Sequence, residues 1–381
     1  MHDCWEAELP IPHSQAELGN ERNILLASPM NTSSSLHFLT ACLAVGETID
    51  PAVRTAIANR DIDWQKVCWL AGNHLVTPAL AAALHRKGLT GQLPDEVQDY
   101  LDGMQALNRE RNKILYDELV AVAGRLNRID IKPLLLKGAI ALMPRQYPSA
   151  EDRVIGDLDL LVPADRAKEV FALLQQENYG LDPEHSIETL EAHHLPPLLH
   201  NELPVSVELH HRFLDDPLID KRMVEGVEVA TLNLPDTDTW VQCPDPSTRL
   251  LHNFLHTQIQ DKNHAKFVFF LRQLLEFVQL RAYYNGLDWP GLFMRVDPEY
   301  HRALGFYLAV AERWFGQAYP SEIKREVGFD LRFQVVERVI TKPAWHRLLT
   351  PLHRIMNIPR RLLTPAWYPI KIKALWRGEP F

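Results

Sequence analysis

The chain has 381 residues, of which 46% are hydrophobic and 23% charged, and a formal net charge of −9. This composition excludes a disordered or low-complexity chain, and the length leaves room for two or three domains of ~100–200 residues. The acidic balance disfavours a general nucleic-acid binder.

In chain order, residues 1–30 are polar and proline-containing and are expected to form a flexible N-terminal arm. Residues 31–127 carry apolar side chains at three- and four-residue spacing, in LHFLTACLAV, DWQKVCWLAGNHLVTPALAAALHRKG and LDGMQALNRERNKILYDELVAVAGRL, which predicts a helical region of about four helices. Between 128 and 245 the pattern changes. IKPLLLKG (131–138) reads as a short strand ending at a glycine turn, followed by a helix-like AIALMPRQY and the loop PSAED. RVIGDLDLLVP (153–163) reads as a second strand. PADRAKEVFALLQQENYG (163–180) reads as an amphipathic helix with Ala167, Val170, Phe171 and Leu174 on one face and Gly180 at its C-terminal stop. In LPVSVELHHRF (203–213), Val205, Val207 and Leu209 alternate with Ser206, Glu208 and His210, the mark of a half-buried strand. Helical patterning resumes over 246–335.

The expected fold class is therefore α+β, a small mixed β-sheet core flanked by N-terminal and C-terminal helical regions. Residues 336–381 form a basic tail with Trp345, Trp367 and Trp376. The last 41 residues hold eight Lys or Arg against one Glu, a surplus of seven, so the remainder of the chain carries −16. Prolines 343, 351, 359, 365 and 369 prevent one long amphipathic helix there. No apolar run reaches the ~18–20 residues that span a bilayer. The beginning MHDCWEAELP has neither the basic nor the apolar region of a secretory signal, so a cytoplasmic location is expected. Cys4, Cys42, Cys68 and Cys243 form no CxxC pair and are expected as free thiols.

Side chains alternate between the faces of a strand, so Asp157 and Asp159 point one way while Leu158, Leu160 and Val162 point the other. Two buried, unpaired carboxylates cost several kcal/mol, and a divalent cation removes that cost. Glu208, on the polar face of another strand, supplies a third acid. At LLLKGAIAL the chain leaves a strand, turns at Gly138 and enters a helix, which gathers backbone N–H groups where a phosphate would sit, with Lys137 adding a full charge. Arg153 is a candidate for a phosphate, for orienting the acids, or for a structural ion pair. Among the 17 histidines, HNFLH (252–256) lacks the glutamate of a zinc-protease helix because Asn253 stands there. The histidines are expected to line the cleft or satisfy helix packing, and His210, sharing a face with Glu208, is a candidate contact for the bound nucleotide substrate.

The order strand, Lys-Gly, helix, RVIGDLDLLVP, helix ending ENYG, then VSVELHH resembles the nucleotidyltransferase superfamily with the DNA polymerase beta-type palm. More narrowly it resembles the largely uncharacterised bacterial branch with Lys-Gly, Arg, Asp-x-Asp-Leu-Leu-Val and Glu-Leu-His. The resemblance implies that Asp157, Asp159 and Glu208 are catalytic and bind metal, Mg²⁺ or Mn²⁺. It implies that Gly138 and its neighbours hold the triphosphate of an NTP, ATP first among them. Glu208 would act as base or second-metal ligand. One position departs from the pattern: Ala139 stands where serine usually follows the glycine, so a hydroxyl contact to phosphate is missing, and Lys137 is the candidate substitute.

The implied activity is transfer of a nucleoside monophosphate from an NTP to a hydroxyl of a small molecule or protein. Long nucleic acid is disfavoured by the charge of the body. The basic tail either packs back on the acidic body or offers a peripheral contact to a membrane, to nucleic acid or to an acidic partner. Two rival readings remain: a catalytically degenerate nucleotide-binding or scaffold protein, which rests on Ala139, and a metal-dependent phosphohydrolase built on the same acids.

Overall fold

A computed structural model of the chain describes residues 32–46, 51–146, 149–181, 193–284, 286–326 and 328–341. The expected N-terminal arm, and the basic tail beyond Thr341, lie outside these residues; up to Thr341 the chain is part of a helix, Asp330–Thr341.

The fold is α+β. Seven strands, β1 (Leu134–Leu135), β2 (Leu158–Leu161), β3 (Tyr179–Leu181), β4 (Leu198–His200), β5 (Ser206–His210), β6 (Val229–Asn233) and β7 (Trp240–Pro244), form one mixed sheet in the order β3-β4-β5-β2-β1-β7-β6. β2 is central, antiparallel to β1 and parallel to β5. Leu158 and Leu160 on β2 and Val207 and Leu209 on β5 are fully buried, in an apolar cluster with Leu115, Leu119 and Val122 of the helix Asp95–Asn127. Each such side chain contributes roughly 1.5–3 kcal/mol, and this burial fixes the register. A one-residue slip would bring the acids to the apolar face.

Before the sheet, the described residues hold five α-helices rather than about four. DWQKVCWLAGNHLVTPALAAALHRKG divides into Trp64–Asn73 and Thr77–Arg86, because Leu75 takes a left-handed φ of 54° and Pro78 stands in the first turn of the second helix. Asp63 caps the first of the two by accepting from the Lys66 N–H at 3.1 Å. The helix expected after the glycine turn is only a 3₁₀ segment, Lys137–Leu142. Pro144 holds Met143 in an extended conformation and stops it there. Gly180 does not end a helix: the helix is Ala167–Gln175, and Gly180 lies in β3.

The helices before and after the sheet share one apolar core. Leu36, Leu39, Leu70 and Leu80 from the first group are buried together with Phe254, Phe277, Tyr307 and Trp314 from the second. Tyr307 is packed by Phe269 at 5.7 Å and Phe277 at 5.0 Å between ring centroids. Among the described residues no helix is long and apolar enough to cross a membrane, and Cys42, Cys68 and Cys243 are free thiols.

The sheet is locked to the second helical group by a buried ion pair: Arg153 donates through Nε and Nη2 to Glu276 Oε2 at 3.2 and 2.7 Å. Removing the acid alone would strand a buried guanidinium. Glu276→Ala is expected to cost about 3–5 kcal/mol of unfolding free energy by urea titration, with Glu276→Gln costing less.

Candidate active site

The centre of the site is set by the pairing of β2 with β5. In this parallel register Asp159 stands opposite Glu208, and His210 opposite Leu161. Alternation puts Glu208 and His210 on the same face. The imidazole Nε2 of His210 lies 2.8 Å from Asp159 Oδ1 and 3.5 Å from Glu208 Oε2. Asp159 and His210 are completely buried.

Lys137 enters from the turn after β1. Its φ of 44° is left-handed, a conformation that costs a non-glycine residue of order 1–3 kcal/mol. The ammonium lies 2.7 Å from Asp159 Oδ1 and 3.8 Å from Glu208 Oε2. In this structure Lys137 thus pairs with the acids themselves. Gly138 is buried and lies under a neighbouring side chain: a Cβ here would come within 2.7 Å of Arg153 Nη1 and 3.2 Å of Ile155 Cγ2. Arg153, expected to contact phosphate, orient the acids or make a structural ion pair, makes the pair with Glu276. Ala139 is fully buried in the apolar cluster of the sheet.

Asp157 precedes β2 and is held by its neighbours' backbone. One turn of the helix Asp95–Asn127 presents Asn108, Arg111 and Asn112 to the segment leading into it. Asn108 Nδ2 donates to Glu151 O at 2.6 Å, Asn112 Nδ2 to Arg153 O at 2.9 Å, and Arg111 to Ile155 O and Gly156 O at 3.1 and 3.0 Å. Arg272 reaches Val154 O from the other side at 3.2 Å.

The electrostatics differ sharply across the acids. Burial pushes the Asp157 carboxyl up, the charges of Asp159 and Glu208 push it further, and Lys137 and Arg272 offset this only in part, leaving it at about 7. Burial would raise Asp159 too, but Lys137 and the His210 hydrogen bond hold it well below the usual range. Glu208 is lowered for the same reasons against the same burial. Asp159 and Glu208 are therefore the ionised pair, and Asp157 the acid most in need of a counter-charge.

A wall of histidines continues the site. Ring centroids lie 5.0 Å apart for His193 and His210, 5.3 Å for His194 and His210, 6.1 Å for His193 and His256, and 5.7 Å for His252 and His256. His193 Nδ1 donates to Asp215 Oδ1 at 2.7 Å, and that bond pulls the Asp215 carboxyl down to about 2. His256 sits on a π-helical turn, Leu255–Gln260, which extends the helix Pro246–Phe254. Such turns re-aim side chains at functional sites.

Asp159, Glu208 and His210 each offer a donor atom within 4.8 Å of the other two. Bonds of ~2.1 Å imply distances between adjacent ligands of about 3.0–3.4 Å, close to the 2.8 and 3.5 Å made by His210. Asp159 Oδ2 is buried with no hydrogen-bond partner among the described residues. The donor set fits a divalent cation. Asp157, expected to be the first member of a metal-binding pair, is not one of these three.

Residues 60–316 match a family described as uncharacterised nucleotidyltransferase. The chain belongs to this family. The match includes helices on both sides of the sheet, so the nucleotidyltransferase unit extends well beyond residues 130–215, on which the motif resemblance rests. No curated protein matches the chain. Arg111, Arg272 and Asp215 of this nucleotidyltransferase stand in no motif that its sequence displays. The signal for Arg272 was a lone arginine inside FVFFLRQLLEFV, a charge in a run too apolar to face water.

Burial pushes His252 down to about 3, helped by Lys137, His210 and His193, with Asp159 acting in the opposite sense. The unfolded chain takes up this proton near the ordinary value of 6.5, so stability is full above that pH and is lost as pH falls toward 3. Each unit in that window costs up to about 1.4 kcal/mol from this group. His252→Phe, which keeps the edge contact to Phe213, is expected to flatten the fall of Tm between pH 6.5 and 4.5 measured by scanning calorimetry.

Proposed function

We propose that this nucleotidyltransferase moves a nucleoside monophosphate from an NTP, ATP first among them, to a hydroxyl of a small molecule or protein, with a divalent metal held by Asp159 and Glu208 and assisted by Asp157. The observation that carries this is the pairing of Asp159 with Glu208 across parallel strands, with a buried Asp159 oxygen that no donor among the described residues satisfies. The metal would supply charge neutralisation at the phosphates and a lowered pKa for the acceptor hydroxyl.

In the transfer, the acceptor oxygen forms a bond to the α-phosphorus as the bond from that phosphorus to the bridging oxygen breaks, and pyrophosphate leaves. The hydroxyl proton passes to the carboxylate cluster, with Glu208 its first acceptor. Lys137 and the turn at Gly138 lie at the same edge of the site, which supports a role for them in holding the leaving phosphates. Arg153 acts one step away: its guanidinium over Gly138 and its pair with Glu276 shape that turn. The strongly acidic body argues for a compact acceptor over long nucleic acid. We place the enzyme in the cytoplasm, with the basic tail as its contact for a membrane surface or an acidic partner.

The test is incubation with Mg²⁺ or Mn²⁺, each α-labelled NTP and a cell extract. Label is expected on an acceptor together with released pyrophosphate, and Asp159→Asn is expected to lower transfer by at least about a hundredfold. Nucleotide binding without turnover would replace this reading with the scaffold, and free inorganic phosphate alone would replace it with a phosphohydrolase.

A further inference from the structure

We propose that His210 is itself a metal ligand, giving a centre of one imidazole and two carboxylates that selects a first-row transition ion, probed as Mn²⁺, over Mg²⁺, and that the ammonium of Lys137 is the cation this ion displaces. The inference rests on the reading that Asp159 and Glu208 hold a divalent cation, and it assigns a third ligand, an ion class and a competitor.

Three observations converge on it. The His210 Nε2 faces both carboxylates, at 2.8 and 3.5 Å, and these spacings fit neighbouring ligands around one ion. Asp159 is completely buried, and its Oδ2 is unpartnered among the described residues, so the acid retains a lone pair that the lysine and the imidazole leave unused. The Lys137 ammonium sits 2.7 Å from one carboxylate and 3.8 Å from the other, on the same oxygens that His210 faces.

Chemistry decides the ion class. Mg²⁺ is a hard ion that keeps oxygen ligands and water, whereas an imidazole donor adds affinity for ions of the first transition series. A single ammonium carries half the charge of the divalent ion and lies closer to Asp159 than to Glu208. Lys137 therefore keeps the acids ionised and in place without satisfying both, as a tethered cation that a divalent ion can replace. Once displaced, its positive charge remains at the mouth of the site, where the phosphates of an NTP would lie. As the ion binds, His210 releases to solvent the Nε2 proton that it donates to Asp159 and ligates as a neutral imidazole.

The experiment is Mn²⁺ binding to the whole protein, followed by the loss of the free-ion electron paramagnetic resonance signal, with Mg²⁺ as competitor and no nucleotide present. Wild type is expected to bind Mn²⁺ at least about tenfold more tightly than Mg²⁺. Electron spin echo modulation from a coordinated ¹⁴N is expected in wild type. His210→Asn is expected to lose that modulation and most of the Mn²⁺ preference while its Mg²⁺ affinity changes little. Lys137→Met is expected to tighten binding of both ions several-fold, and thermal unfolding of each variant verifies that it is folded. Absence of ¹⁴N modulation in folded wild type carrying Mn²⁺, or equal weakening of both ions in His210→Asn, would overturn the assignment of His210. Unchanged affinity in Lys137→Met would overturn the displacement. Asp159→Asn separates the two levels: if it leaves Mn²⁺ binding intact, the cation reading of the site is itself wrong.

Discussion

Two carboxylates face each other across neighbouring parallel strands, and everything at the centre of this protein answers to their repulsion. Asp159 and Glu208 are opposed because the leucines and valine between them are buried on the other face of the sheet, which fixes the strand register. The fold then supplies compensation from every direction. Lys137 is bent into a left-handed conformation to reach the pair, and His210 comes from the same strand as Glu208. Burial makes an unpaired charge expensive and a paired one strong, so each partner is held tightly in place.

The helices act on this centre indirectly. Asn108, Arg111 and Asn112 grip the carbonyls of the approach to β2 and so fix where Asp157 emerges. From the opposite side, Arg153 pairs with Glu276, tying the same approach to the second helical group and covering Gly138. The small sheet therefore does not stand alone. The family match over residues 60–316, which takes in helices from each group, agrees with that mechanical dependence.

The sequence made some of this legible and hid the rest for physical reasons. β2 and β5 announce themselves, one by its apolar run and the other by alternation, and alternation also places His210 with Glu208. β4 and β6 give no such pattern: β4 has only three residues, and β6 is largely exposed, so neither carries a clear apolar row. The meeting of Asp159 with Glu208 depends on a strand register that no local pattern encodes. The aim of Lys137 depends on one backbone angle, and the true partner of Arg153 lies 123 residues away. The turn at Gly138 is visible as a turn, but the helix-like AIALMPRQY after it forms only a 3₁₀ segment that ends ahead of Pro144. Gly138 itself is explained by the packing of an arginine and an isoleucine above it.

The apolar core shared by the first and last helices bears on how the protein comes into being. His37 in the helix Thr32–Leu43 touches Glu337, 300 positions further on. During synthesis the early helices can cover one another as they emerge, but the apolar surface that Thr32–Leu43 turns toward His301–Phe315 and Asp330–Thr341 stays open until nearly the whole described chain has left the ribosome. At ~5–20 residues per second that is a wait of tens of seconds. Closing so distant a contact is slow, so the nascent chain carries this open face late into its synthesis and is a natural client for chaperones.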